Sequence, residues 1–182
     1  MVKLNRIYTR TGDAGTTGLV DGSRVSKAEP VMIAIGDVDE ANSAIGVALA
    51  TLGTRDPAAR LLVIQNDLFD LGPDIATPEG IDGALRILPE QVARLEAEID
   101  AMNATLSPLT SFILPGGDPA AAALHLARAI VRRAERSAVA AGGLNAPALA
   151  YLNRLSDWLF VAARAVNAGA AGDVLWRPGA SR

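Results

Sequence analysis

Apolar residues recur at three- and four-residue intervals from about residue 30 to residue 167, and not before. The first such run spans Pro30 to Gly53, with Val38, Ala41, Ile45, Ala48, Leu49 and Leu52 on one face, the period of a helix with one buried side. A second follows Asp56-Pro57, read as a cap and a first-turn proline, and reaches Gly72 through Leu61, Leu68 and Leu71. Pro89 opens a third, with Val92, Leu95, Ile99, Met102 and Leu106 in heptad spacing. Asp118-Pro119 caps a fourth that stops at Gly142-Gly143. Pro147 starts the fifth, which runs to about Asn167.

Between these runs lie two loops rich in proline and glycine, roughly 73 to 88 and 107 to 117. Residues 1 to 29 have no sustained period and read as an arm. The tail, 169 to 182, holds Val174-Leu175-Trp176-Arg177-Pro178, expected to pack extended on the bundle. With no repeat, low-complexity tract or linker, the 182 residues predict a single all-α domain, a five-helix bundle over residues 30 to 168 behind a glycine-rich N-terminal arm.

Composition narrows the chemistry. Half of the residues are apolar but only 4% are aromatic, so the core must be built from Ala, Leu, Val and Ile. A net charge of −3 gives no electrostatic reason to expect nucleic acid. The absence of cysteine excludes disulfides, thiolate metal sites and cysteine nucleophiles. Arg164 and Asn167 interrupt the most apolar helix, so no membrane span is expected, and no apolar stretch follows Lys3, Arg6 and Arg10 as in a signal peptide. These features predict a cytoplasmic protein.

Candidate chemistry begins in the arm, at Tyr8-Thr9-Arg10-Thr11-Gly12-Asp13-Ala14-Gly15-Thr16-Thr17-Gly18. Glycines can turn backbone N–H groups toward an anion, while threonine hydroxyls and an arginine add donors. An aspartate among them can hold Mg²⁺. No Gly-Lys-Ser/Thr follows, so this is not a Walker loop; a glycine-rich surface turn is the other reading. In the fourth helix an apolar arc of Leu124, Ala127, Val131, Ala134 and Ala138 is flanked by Arg128, Arg132 and Glu135, with His125 a turn earlier. The bland alternative is a salt-bridged exposed face. In the fifth, Tyr151, Leu155, Trp158, Leu159, Ala162 and Val166 form the apolar side, and Asn153, Asp157 and Arg164 the other, with Ser156 nearby. Asp37, Asp39 and Glu40 suit the start of the first helix, and an acid such as Asp39 can also pair with an arginine of the fourth, within one chain or between chains. Phe112, one of three phenylalanines, reads on composition as a loop anchor dipped into the core. The lone histidine, His125, suits a simple core or surface role better than metal ligation.

Five segments together carry a resemblance: Tyr8–Leu19 (YTRTGDAGTTGL), Gly36–Gly46 (GDVDEANSAIG), Phe112–Gly117 (FILPGG), Arg128–Arg136 (RAIVRRAER) and Tyr151–Phe160 (YLNRLSDWLF). In order and in kind the chain resembles the PduO-type corrinoid adenosyltransferases. The resemblance implies a ferritin-like five-helix bundle assembled as a homotrimer, with sites at subunit interfaces. It implies transfer of the 5′-deoxyadenosyl group of ATP to the cobalt of cob(I)alamin, giving adenosylcobalamin and triphosphate. Thr9, Arg10, Thr11, Gly12, Asp13, Gly15, Thr16, Thr17 and Lys27 would wrap ATP, joined by Arg132, Glu135 and Asn153. Mg²⁺ would be carried mainly by the phosphates. Arg128 would form an interface ion pair, with Asp39 favoured over Asp37, and Phe112 would sit under the corrin in place of the lower axial ligand. Asp37 departs from the family, which usually has a small hydroxyl residue there. Such an enzyme also implies a cobalamin reductase that supplies electrons and an adenosylcobalamin-dependent enzyme that takes the product. The alternatives are an ATP-binding regulatory bundle without transferase activity and a purely structural bundle.

Overall fold

The computed structural model describes residues 7–78 and 80–182, so the first six residues of the arm lie outside it. Five helices follow a short hairpin: β1 (Thr16–Gly18), β2 (Arg24–Ser26), α1 (Pro30–Leu52), α2 (Ala58–Ala76), α3 (Pro89–Asn103), α4 (Pro119–Ala141) and α5 (Ala146–Ala168). α1 packs along α4, α4 along α5, α2 on the outer side of α1 and α3 on α5. The predicted apolar faces are the ones buried. Leu124, Ala127, Val131, Ala134 and Ala138 of α4 are fully inside, as are Tyr151, Leu155, Trp158, Leu159 and Ala162 of α5. Alanine on α4 allows its close approach to both α1 and α5.

The core also holds charge. Buried Asp67 of α2 accepts from Tyr151 Oη at 2.7 Å and Gln91 Nε2 at 2.8 Å, and pairs with Arg94. Buried Asp74 binds Arg86 at 2.8 Å, the Ile87 amide at 2.7 Å and Asn145 at 3.0 Å. These carboxylates tie α2 to α3, to the loop before it and to α5. Burial, and then the bond to Asp67, raises the Tyr151 phenol above its ordinary pKa.

Several boundaries differ from expectation. α2 continues through Gly72 and Pro73 to Ala76, four residues past its predicted end, because Asp74 is locked by partners outside the helix. α3 stops at Asn103, short of Leu106. α2 begins after Pro57, and the Asp56 carboxylate takes Arg60 rather than capping. Asp118 does cap α4, accepting from the Ala120 amide at 2.8 Å. Arg164 and Ser156, expected on the polar side of α5, are buried: Arg164 pairs with Asp173 at 3.0 Å and donates to the Ser107 carbonyl.

Candidate functional site

The arm folds on itself. β1 and β2 pair antiparallel, Thr17 opposite Val25, around a turn in which Gly22 has φ +83° and Asp21 accepts from Ser23. Upstream, Arg10 takes a left-handed φ of 64° and lays its guanidinium 5.7 Å from the centre of the Tyr8 ring. The Thr9 and Thr11 hydroxyls lie 2.9 Å apart, and the Gly15 amide closes a turn on the Gly12 carbonyl. Lys27 donates its amide to Gly15, and its Nζ lies only 3.1 Å from where a Cβ on Gly12 would stand. A side chain at position 12 would therefore push the ammonium away. Arg24, which the sequence reading passed over, organises this cluster: its Nη2 donates to the Thr11 carbonyl at 2.7 Å and to the Thr16 hydroxyl at 2.8 Å. The available signal was the Asp21-Gly22 pair between two short β-prone runs, which specifies a hairpin and so folds Arg24 back onto Thr16. Arm residues Thr9, Arg10, Thr11, Gly12, Asp13, Gly15, Thr16, Thr17 and Lys27 are thus neighbours, rich in donors and mostly exposed.

Behind the hairpin, Gly18, Leu19 and Val20 close one side of a cavity of about 500 Å³ between α1 and α2. Met32, Ile35, Leu68 and Phe69 make it apolar; Asp39 and Asn42 are its polar points. Asn42 is buried and its Oδ1 has no hydrogen-bond partner among the described residues.

The second polar group lies elsewhere. Arg132, Glu135, Arg136 and Val139 of α4, with Asn153 of α5, line a separate recess of about 330 Å³ that no described arm residue lines. Asn153 Nδ2 donates to Glu135 Oε1 at 2.8 Å. One turn back, Arg128 is half-buried, with its Nε unpaired among the described residues. Burial and then the charge of Arg132 lower its pKa, the signature of a cation lacking a counter-ion. The acids of α1 do not supply one within the chain. Asp37 is taken by Arg133 at 3.3 Å and Ser137 at 2.5 Å, and Glu40 also pairs with Arg133. Asp39 has no ion pair among the described residues and faces the α1–α2 cavity.

Phe112 is not a core anchor. The residue is 78% exposed, at the tip of the loop between α3 and α4. The tail, expected against the helices, instead pairs with this loop: Ile113 bridges Leu175, and Trp176 donates its amide to the Phe112 carbonyl at 2.8 Å. His125 does prove a core residue, buried edge-on to Phe160 with neither ring nitrogen bonded among the described residues. Burial, then the charge of Arg128, lowers its pKa. No cluster of three or more His, Asp or Glu among the described residues is arranged to hold a metal ion, and no helix is long and apolar enough to cross a membrane.

A family model described as cobalamin adenosyltransferase matches residues 7–166. The chain is 53% identical over 191 residues to a corrinoid adenosyltransferase of Mycobacterium tuberculosis, covering 100% of this chain and 97% of that protein. It is 51% identical over 180 residues to a cobalamin adenosyltransferase of Cupriavidus metallidurans, covering 96% of each. Among solved structures it is similar to a phenylalanine-to-histidine variant of a PduO-type ATP:corrinoid adenosyltransferase from Lactobacillus reuteri, complexed with cobalamin and ATP. The TM-score is 0.89 at 37% identity, over 95% of this chain and 97% of that one. An arginine-to-lysine variant of such an enzyme from the same organism, complexed with ATP, gives 0.85 at 37% identity, over 94% and 100%.

Proposed function

The chain belongs to the cobalamin adenosyltransferase family and is an ATP:corrinoid adenosyltransferase, and we propose that it joins its two substrates in a site built by two copies of itself. The reaction moves the 5′-deoxyadenosyl group of ATP to cobalt. Cob(I)alamin supplies an electron pair to C5′, the C5′–O bond breaks, and that bond's pair leaves with triphosphate as cobalt becomes formally Co(III). So strong a nucleophile needs no general base. The protein's task is to align C5′ with cobalt and to stabilise charge on the departing triphosphate, and each can contribute several kcal/mol, roughly.

The observation that carries the two-copy reading is the separation, within one chain, of the arm's donors from the recess holding Arg132, Glu135 and Asn153. Each half alone would offer a nucleoside triphosphate charged donors from one side only. A neighbour's arm laid over the recess would bring Lys27, Thr9, Thr11 and Thr16 to the phosphates opposite Arg132, with charge-assisted bonds from both sides. The same approach gives the lone Arg128 a counter-ion, Asp39 of the neighbouring copy, since Asp37 is engaged by its own Arg133 and Ser137. Head-to-tail contacts of this kind close into a ring, and a homotrimer fits the family resemblance. Mg²⁺ would come on the triphosphate and reduce its negative charge, with Asp13 as the acid within the donor segment Thr9 to Thr17.

Phe112 would serve the step before transfer. Reducing Co(II) is hard while an axial ligand donates electrons to the metal. An exposed phenyl ring on an anchored loop can take the lower axial place and keep water out. A regulator that merely binds ATP has no use for such a ring, which disfavours that alternative. The test is to incubate the protein with ATP, Mg²⁺ and cobalamin under strong reductant and follow the visible spectrum. Formation of the Co–C bond with release of triphosphate is expected; ATP binding without any spectral change would overturn the proposal.

A further inference from the structure

The loop that carries Phe112 is strapped at its base and splinted at its tip, and both devices come from the C-terminal end of the chain. At the base, buried Asn167 of α5 accepts from the Asp118 amide at 2.9 Å and donates to the Gly116 carbonyl at 3.1 Å. Buried Arg164, one turn earlier, donates to the Ser107 carbonyl at 2.8 Å, at the other end of the loop. The same two side chains hold Asp173: Arg164 at 3.0 Å and Asn167 at 3.3 Å. Asp173 thus fixes where the tail departs. From Val174 to Trp176, directly after it, the tail runs antiparallel to the tip. Leu114 donates its amide to the Val174 carbonyl at 2.7 Å, Trp176 to Phe112 at 2.8 Å, and the Ser111 hydroxyl to the Trp176 carbonyl at 2.9 Å. The Trp176 ring then meets the Phe112 ring edge-on, with centroids 6.0 Å apart and planes at 63°.

We infer that Trp176 is a positioning residue for Phe112: the tail strand, anchored through Asp173, sets the height and tilt at which the phenyl ring is presented to a bound corrin. This rests on the axial role proposed for Phe112. An exposed phenylalanine on an unsupported loop samples several rotamers, and a ring displaced from the axial line no longer excludes a ligand from cobalt. Trp176 removes that freedom on one side through its backbone bonds and its ring. Because the ring matters only for making Co(I), loss of Trp176 must slow reduction of bound Co(II) while sparing alkyl transfer from Co(I).

The experiment compares Trp176→Ala, Trp176→Phe and Phe112→Ala with the parent, each with ATP and each by two routes. One starts from cob(II)alamin with a one-electron chemical reductant; the other starts from cob(I)alamin reduced beforehand. Trp176→Ala should lose about tenfold by the first route and less than about twofold by the second, and Trp176→Phe should recover most of the loss. Parental rates by both routes, or equal losses by both, would overturn the inference when Phe112→Ala shows the route-selective loss. Phe112→Ala without that selectivity would instead overturn the axial role, and the inference with it.

Discussion

Arg132 and Arg133 are consecutive, yet one faces the recess between α4 and α5 while the other is spent on α1. A rotation of about 100° per residue separates them, which suffices to put one in the proposed ATP site and the other in the scaffold. Arg132→Ala should weaken ATP binding by roughly tenfold to a hundredfold, the worth of one or two hydrogen bonds to charged groups, and leave the thermal midpoint unchanged. Titration calorimetry beside a melting curve checks both. Arg133→Ala should do the reverse, lowering the melting temperature while leaving ATP affinity intact. The stripe of Arg128, Arg132 and Glu135 was legible from spacing alone. Arg133's partner was not, because the angle at which α1 crosses α4 is set by alanine packing that spacing does not encode. His125 gives a pH test. Burial and Arg128 hold its folded pKa below the ordinary 6.5, so the unfolded chain binds the proton more readily. Its contribution is therefore intact above about pH 6.5 and lost as pH falls toward the folded value. As the sole histidine, it should dominate the stability slope just below neutrality, and His125→Phe should flatten that slope in urea titrations.

At the scale of elements, helices were readable from periodicity, and their polar exceptions were not. α2 passes through Pro73 because Asp74, Arg86 and Asn145 hold the last turn from outside, a tertiary effect that outweighs the local cost of a helical proline. The arm's hairpin and the pairing of tail with Phe112 loop carry no helical period, because both depend on backbone pairing between short, aperiodic segments. The loop's geometry is nonetheless strict at Gly117. Its φ is +99°, and a Cβ there would fall 2.2 Å from Asn167 Oδ1. Gly117→Ala should cost about 1–3 kcal/mol in denaturant unfolding, since it combines a strained backbone with displacement of the Asn167 strap. The arm makes the opposite prediction. Its donors are turned largely to solvent, so limited proteolysis between residues 7 and 27 should slow when Mg·ATP is present. Equal cleavage with and without nucleotide would deny it a role in the phosphate site.

The whole molecule presents two separate polar regions, an arm with its cavity on the α1–α2 side and a recess on the α4–α5 side, which the proposal joins across two copies. Large apolar side chains are exposed on the same helices, among them Ile33, Val47, Phe69 and Val139. Such faces suit burial against another copy. Membership of the family was readable from five motifs, but that the arm and the α4–α5 recess stay apart within one chain required the fold. The decisive measurement is complementation between two defective variants produced together, Lys27→Ala in the arm and Arg132→Ala in the recess, each expected to be nearly inactive alone. If a site takes its arm from one copy and its recess from the next, random mixing leaves about a quarter of interfaces with both parts intact. Adenosylcobalamin formation should then recover to about a quarter of the parental rate. A mixture no more active than the two variants assayed separately would contradict the account, because it would mean that arm and recess serve the same copy.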